Sequence, residues 1–283
     1  MEIYKPKTLD EAKILLFNNE NSKILAGGTD LIISIRKESD LLTKIIDISK
    51  IHELYLIEED ENFICLGSMI TFAELEENIK VRKYFNVLYE CSKHMGSPQI
   101  RNVATIGGNV INAAPAAESI PCLISLDSEM IIESINGTRK IKVETYFKNY
   151  EKEKIKFDEI LTKFIIPKKN NYSGYYKLGK RNSLAIARIN VAVSLNIQDD
   201  IIKNISVAVG AAGRFPFKIT QLENLLLNKN KANLLDNDVL NELENSVYNS
   251  IKGRSTADFK KEAVKGAYKH AINNALGIEG VFN

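Results

Sequence analysis

Two glycine pairs mark places where the backbone can meet a ligand directly. The first lies in Ile24-Leu25-Ala26-Gly27-Gly28-Thr29-Asp30-Leu31, the second in Thr105-Ile106-Gly107-Gly108-Asn109. Each runs from apolar residues through two glycines to side chains that bond hydroxyls or phosphates. Glycine lets the main chain approach a ligand with no Cβ in the way, and unpaired N–H groups at a helix start attract anions such as a pyrophosphate. One Gly-Gly turn alone is more often an ordinary capped turn. Two of them, matching neither G-x-G-x-x-G nor G-x-x-x-x-G-K, suggest a dinucleotide-like ligand held between two walls.

The other reactive residues form no familiar constellation. Cys65, Cys91 and Cys122 are odd in number and far apart, no C-x-x-C occurs, and His52, His94 and His270 do not cluster with them. A zinc finger and a four-cysteine iron–sulfur site are excluded, and no metal centre is expected. Neither G-x-S-x-G nor H-E-x-x-H is present. Any redox chemistry must therefore come from an organic cofactor. His94, close before Gly96, and the basic stretch Lys177-Leu178-Gly179-Lys180-Arg181 suit a site, but on the residues alone a packed or surface histidine and a solvated strand end are the commoner readings.

The elements that position these loops fit a chain of 283 residues, enough for one large domain or two modest ones. A formal net charge of +2 argues against a general nucleic-acid binder, and 45% apolar with 26% charged residues is a globular composition. No apolar run of about 18 residues predicts a membrane span, and the N-terminus lacks an apolar signal core, so a cytoplasmic location is expected. Thr8 to Glu11 and Thr71 to Glu74 have capping-box spacing. Strands are predicted at 22–25, 44–48, 54–57, 63–66, 130–133, 139–143, 160–166, 175–178, 185–197 and 201–209, with a hairpin at Asn136-Gly137. Helices are predicted at 31–35, 81–95, 220–227, 232–251 and 256–274. Residues 148–156 read as a surface loop, and the polar stretch 168–173 as a domain boundary. The mixed order is α+β rather than a regular βαβ alternation.

Taken with Gly96-Ser97-Pro98-Gln99-Ile100-Arg101-Asn102-Val103-Ala104, the two loops resemble those of the FAD-binding subunit of the molybdenum hydroxylases, the family of xanthine dehydrogenase, aerobic carbon monoxide dehydrogenase and nicotinate dehydrogenase. Tyr175 to Arg181 is similar to the segment opening that family's C-terminal domain, and Arg254 to Lys269 to its final helix; the resemblance covers essentially the whole chain. It implies FAD held by the backbone of Leu25 to Thr29 and of Ile106 to Asn109, within loops spanning Ile24, Leu25, Ala26, Gly27, Gly28, Thr29, Asp30 and Leu31, and Thr105, Ile106, Gly107, Gly108 and Asn109. Thr105 and Asn109 would add side-chain hydrogen bonds. Met95 stands where some relatives place an aromatic near the isoalloxazine, and Gly96 is counted with the cofactor-binding residues. Glu118 replaces a frequent Asp as acceptor for a ribose or adenine donor, Leu161 and Thr162 line the adenine side, and Lys177 lies near the flavin ring, where it would stabilise negative charge.

The resemblance further implies a two-subdomain FAD-binding domain (vanillyl-alcohol-oxidase-like) over residues 1–168, divided near residue 53. A C-terminal α+β domain of three strands and a helix bundle follows over 169–283. The expected role is electron transfer from an iron–sulfur subunit through FAD to NAD⁺ or another acceptor, while a molybdopterin subunit hydroxylates a heterocycle, commonly a purine. The residues alone also admit a dinucleotide-binding interaction module without turnover. A stand-alone FAD oxidase is disfavoured, because those enzymes carry a longer substrate domain and no His or Cys here has a flavin-attachment context.

Overall fold

The computed structural model describes residues 2–37, 44–181 and 185–277. Its first sheet contains β1 (Glu2–Tyr4), β2 (Ser22–Leu25) and β3 (Lys44–Asp47), all parallel in the order β1-β3-β2. Helices Leu9–Asn18 and Leu31–Lys37 make the crossovers. This opening unit is thus a βαβαβ run, which the sequence does not reveal because β1 is too short to show a period. Thr8 Oγ1 accepts from the Glu11 N–H, but Glu11 Oε2 accepts from the Lys7 N–H, one residue short of the expected reciprocal box. At Thr71 and Glu74 both halves of the box form.

The second sheet is antiparallel: β4 (Ile57–Glu59), β5 (Phe63–Gly67), β6 (Glu129–Ser134), β7 (Gly137–Lys142) and β8 (Ile160–Pro167), in the order β4-β5-β8-β6-β7. The strand predicted at 54–57 is instead a 3₁₀ turn, His52–Tyr55, that drops Leu54 into the first unit's core beside Ile51 and Met69. The single helix predicted at 81–95 is two, Ile79–Tyr84 and Asn86–Lys93. They break at Phe85, whose φ of −135° and ψ of 59° leave the helical region. Its ring is buried in the core with Val81, Leu88 and Cys91.

The third sheet, β9 (Tyr172–Leu178), β10 (Ile189–Gln198), β11 (Ile201–Gly210) and β12 (Phe217–Lys218), is antiparallel. Period-2 alternation divides its faces. Ile189, Val191, Val193 and Leu195 pack under helices Thr220–Leu226, Asn237–Ile251 and Ala257–Leu276. Ala192, Ala208 and Tyr175 join the core of the second unit. Small residues on this inner face allow close approach, and Ser194 Oγ donates across it to the Ser125 carbonyl. Strand β10 begins at Ile189, four residues later than predicted, and the helix predicted from 232 begins at Asn237 after a 3₁₀ turn, Lys231–Leu235. No helix among the described residues is long and apolar enough to cross a membrane.

Residues 148–156 are more than a loop. Tyr150–Glu153 forms a helical turn, and the Tyr150 ring packs on Phe215 with centroids 4.4 Å apart. The segment leading to β8 is anchored by Arg139. Its Nε and Nη2 donate to Glu159 Oε1 and Oε2 at 2.8 and 2.9 Å, and Nη2 also donates to the Glu153 carbonyl. Burial acts against the Glu159 charge, but the Arg139 fork and the Lys156 N–H outweigh it and hold the carboxyl below its ordinary 4.5. A depressed carboxyl pKa contributes stability that is complete above the unfolded value and is lost as pH falls through the folded one. Glu159→Gln should therefore lower Tm at neutral pH and flatten the acid limb of Tm against pH in calorimetry. An offset from wild type that is the same at neutral and strongly acid pH would refute this assignment.

Candidate functional site

The two glycine loops meet face to face. Gly27 lies so close to the 103–104 backbone that a Cβ there would sit 1.8 Å from the Val103 carbonyl oxygen. Gly107 presses on Ser68 in the same way, with 2.6 Å from a would-be Cβ to the Ser68 carbonyl oxygen. Beside these contacts opens a cleft of about 370 Å³, within the range of about 300–1,000 Å³ usual for small-molecule sites. Of the predicted residues, Ile24, Ala26, Gly27, Gly28, Thr29, Asp30, Leu31, Met95, Thr105, Gly107, Gly108, Asn109 and Leu161 line it.

The first loop offers donors. Among the described residues no protein acceptor takes the N–H of Gly27, Gly28, Thr29 or Asp30. Gly28 has φ +73°, which turns the chain into the helix Leu31–Lys37. The second loop differs from its expected role. Its N–H groups are committed within the chain: Ile106 to the Ile70 carbonyl, Gly107 to the Ser68 carbonyl, Gly108 to Thr105 Oγ1 and Asn109 to the Thr105 carbonyl. Thr105 is likewise engaged, as the cap of the helix Ile106–Asn112. That wall contributes an open glycine face and one amide: Asn109 Oδ1 accepts from the Ser119 N–H and hydroxyl, leaving its NH₂ for a ligand acceptor.

Six predicted residues stand off the cleft wall. The Leu25 carbonyl accepts from the Ile48 N–H, and Ile106 is buried in the core. Gly96, at φ +46°, turns the corner after Met95. Thr162 Oγ1 bonds the Ile131 carbonyl and Glu133. Glu118 and Lys177 pair with each other, Nζ to Oε1 at 3.1 Å, with side chains only 10% and 7% exposed. Lys177, expected near the flavin ring, and Glu118, expected as an acceptor for a ribose or adenine donor, are engaged with each other here and do not line the cleft. Burial pushes the Glu118 carboxyl above the usual carboxylate range, with Lys177 pulling the other way.

The sequence also missed wall residues. Ile155, Ile160, Met69 and Ile48 line the cleft from four separate segments, apolar residues with no motif to mark them. Ser68 lines it too, and its buried hydroxyl has no partner among the described residues. A buried donor left unpaired is costly, so it fits a site completed by a polar ligand.

Comparison with known proteins places this geometry. Residues 1–169 match the family of the FAD binding domain in molybdopterin dehydrogenase, and residues 174–275 that of the CO dehydrogenase flavoprotein C-terminal domain. The chain belongs to the FAD-binding subunits of the molybdenum hydroxylases. It is 35% identical to the nicotinate dehydrogenase FAD-subunit of Eubacterium barkeri, covering 100% of this chain and 98% of the relative. It is 28% identical to the xanthine dehydrogenase FAD-binding subunit of Escherichia coli O157:H7, over 98% and 96% of the two chains. A chain of carbon monoxide dehydrogenase from Hydrogenophaga pseudoflava shares the fold at TM-score 0.88 and 24% identity, over 98% and 97%. The cleft fits FAD: open N–H groups suit a pyrophosphate, glycines admit the ligand to the backbone, and Ser68 lacks a partner among the described residues.

Gly108→Ala is the clean probe of this fit. Its Cβ would meet Thr105 Oγ1 at 2.9 Å, so the cap hydroxyl must give way, and Ala26 Cβ at 4.0 Å, an ordinary contact. FAD retention after dialysis should fall while Tm changes little. Gly28→Ala adds backbone strain of about 1–3 kcal/mol and should lower both. Gly266→Ala, with nothing within 4 Å of its Cβ, should lower neither. Full FAD retention by Gly108→Ala would exclude the second loop from the site.

Proposed function

We propose that the chain is the flavin relay of a molybdenum hydroxylase complex. It takes electrons from iron–sulfur clusters on a partner subunit and delivers them through FAD to NAD⁺ or another acceptor. A molybdopterin subunit oxidises an N-heteroaromatic substrate of the nicotinate or purine kind. The observation that carries this reading is the row of N–H groups at Gly27–Asp30 that find no acceptor among the described residues, in a cleft also lined by the second glycine loop. When bound, FAD supplies the capacity to take up two electrons and pass them on. The chain's own part is placement. The first loop's N–H groups hold the pyrophosphate and the Asn109 amide adds a donor. Leu161 and Ile160 give apolar lining, and Met95, which lines the same cleft, has a thioether that can pack on a ring face. The same reading divides the chain at about residue 168.

The partners follow from cofactor chemistry. A two-iron cluster takes four thiolates. This chain has three cysteines, of which Cys91 and Cys122 are buried and Cys65 half-buried, all free. The nicotinate and xanthine relatives support an N-heteroaromatic substrate, which would bind on another chain. Purified alone, the chain should be yellow with flavin absorbance, and it should oxidise neither nicotinate nor xanthine. Co-expressed with its iron–sulfur and molybdopterin subunits it should do one or the other with NAD⁺ or a dye. Oxidation of either substrate by the single chain would overturn the proposal.

A further inference from the structure

Two cleft residues, Asn109 and Met95, are joined by a continuous bracket of residues that do not themselves line the cleft. Asn109 Oδ1 accepts from the Ser119 hydroxyl at 2.7 Å. The neighbouring residue, Glu118, holds Lys177 Nζ at 3.1 Å, and the same Nζ donates to the His94 carbonyl. His94 precedes Met95, and Arg101 donates to the Met95 carbonyl at 3.4 Å while pairing with Glu76. The corner at Met95 and Gly96 is thus held by its carbonyls. Lys177 is the only member of this chain of bonds that comes from the third sheet, at the end of β9.

We propose that Lys177 and Glu118 are a positioning pair, acting through the His94 carbonyl and Ser119 to fix Met95 and Asn109 against FAD and to tie the third sheet to the flavin cleft. The inference rests on the FAD reading above. Three features support it. The pair is nearly sealed from solvent, so its geometry is fixed rather than averaged. Removing one member leaves the other charge buried without its partner, which is strongly disruptive. The cation is neutralised by Glu118 at contact distance, so beyond the pair its field is that of a dipole.

The test uses full-length protein and FAD itself as the probe. Lys177→Met, Glu118→Gln and the double variant are compared for FAD dissociation constant, visible circular dichroism of the bound flavin and midpoint potential. A positioning pair predicts that each single substitution weakens FAD by at least about tenfold and changes the flavin dichroism in the same sense. The double variant should be no worse than the poorer single. Lys177→Arg should recover most of the affinity. A direct electrostatic role predicts the opposite: the potential falls in Lys177→Met and rises in Glu118→Gln, with dichroism unchanged, and that result overturns the proposal. If either variant fails to fold, Met95→Ala at the partly exposed end of the bracket decides: unchanged affinity and dichroism there also overturn it. Failure of the wild-type chain to bind FAD would refute the FAD reading itself, whereas wild-type binding with unaffected variants refutes only the pair.

Discussion

The cleft depends on main chain pressed against main chain. Gly27 meets the Val103 carbonyl and Gly107 meets the Ser68 carbonyl, each at a distance no Cβ could occupy. The first contact joins the parallel sheet of the N-terminal unit to the second unit, and the second seats the helix Ile106–Asn112 on the strand end at Gly67. Cleft width is therefore set by backbone, which does not change rotamer. That suits a ligand recognised mainly through its phosphates, because N–H groups in fixed positions lose no side-chain entropy on binding.

The two glycine loops look alike in sequence and divide the work. In the first, Gly28 takes a positive φ, and the N–H groups of Gly27 to Asp30 have no acceptor among the described residues. In the second, the same residue types close a cap and a bridge, Thr71 to Thr105, and the donors are consumed. The difference lies in what surrounds each loop. The first follows a strand directly, and although the Val103 carbonyl lies against Gly27, its N–H groups bond no acceptor among the described residues; the second runs beside Ser68 and Ile70, whose carbonyls accept its N–H groups.

This explains which parts were legible. Strand alternation in β10, the Asn136-Gly137 hairpin and the C-terminal helices were readable because the local pattern and the tertiary requirement agree. The glycine loops were readable because glycine pairs beside Thr, Asp and Asn have few structural reasons to recur. The break at Phe85 was not, because a buried aromatic with non-helical dihedrals looks, in sequence, like one more apolar position of a helix. The wall residues Ile155 and Met69 were not, because an apolar residue facing a cleft and one facing the core are the same letter. The pairing of Lys177 with Glu118 spans 59 residues, and no local rule connects them.

That pairing changes the meaning of the third sheet. A sheet that merely covered a flavin could make any small-residue contact with the unit beneath, as Ala192 and Ala208 do. A buried cation reaching from β9 to a carbonyl beside a cleft residue is more demanding, since it must be dehydrated on folding and is compensated only if Glu118 and the His94 carbonyl are in place. Apolar packing holds the two units together with little directional preference, whereas the ion pair selects one arrangement. The same bonds that satisfy Lys177 also hold the corner at Met95, so docking of the third sheet and shaping of the cleft are one event rather than two.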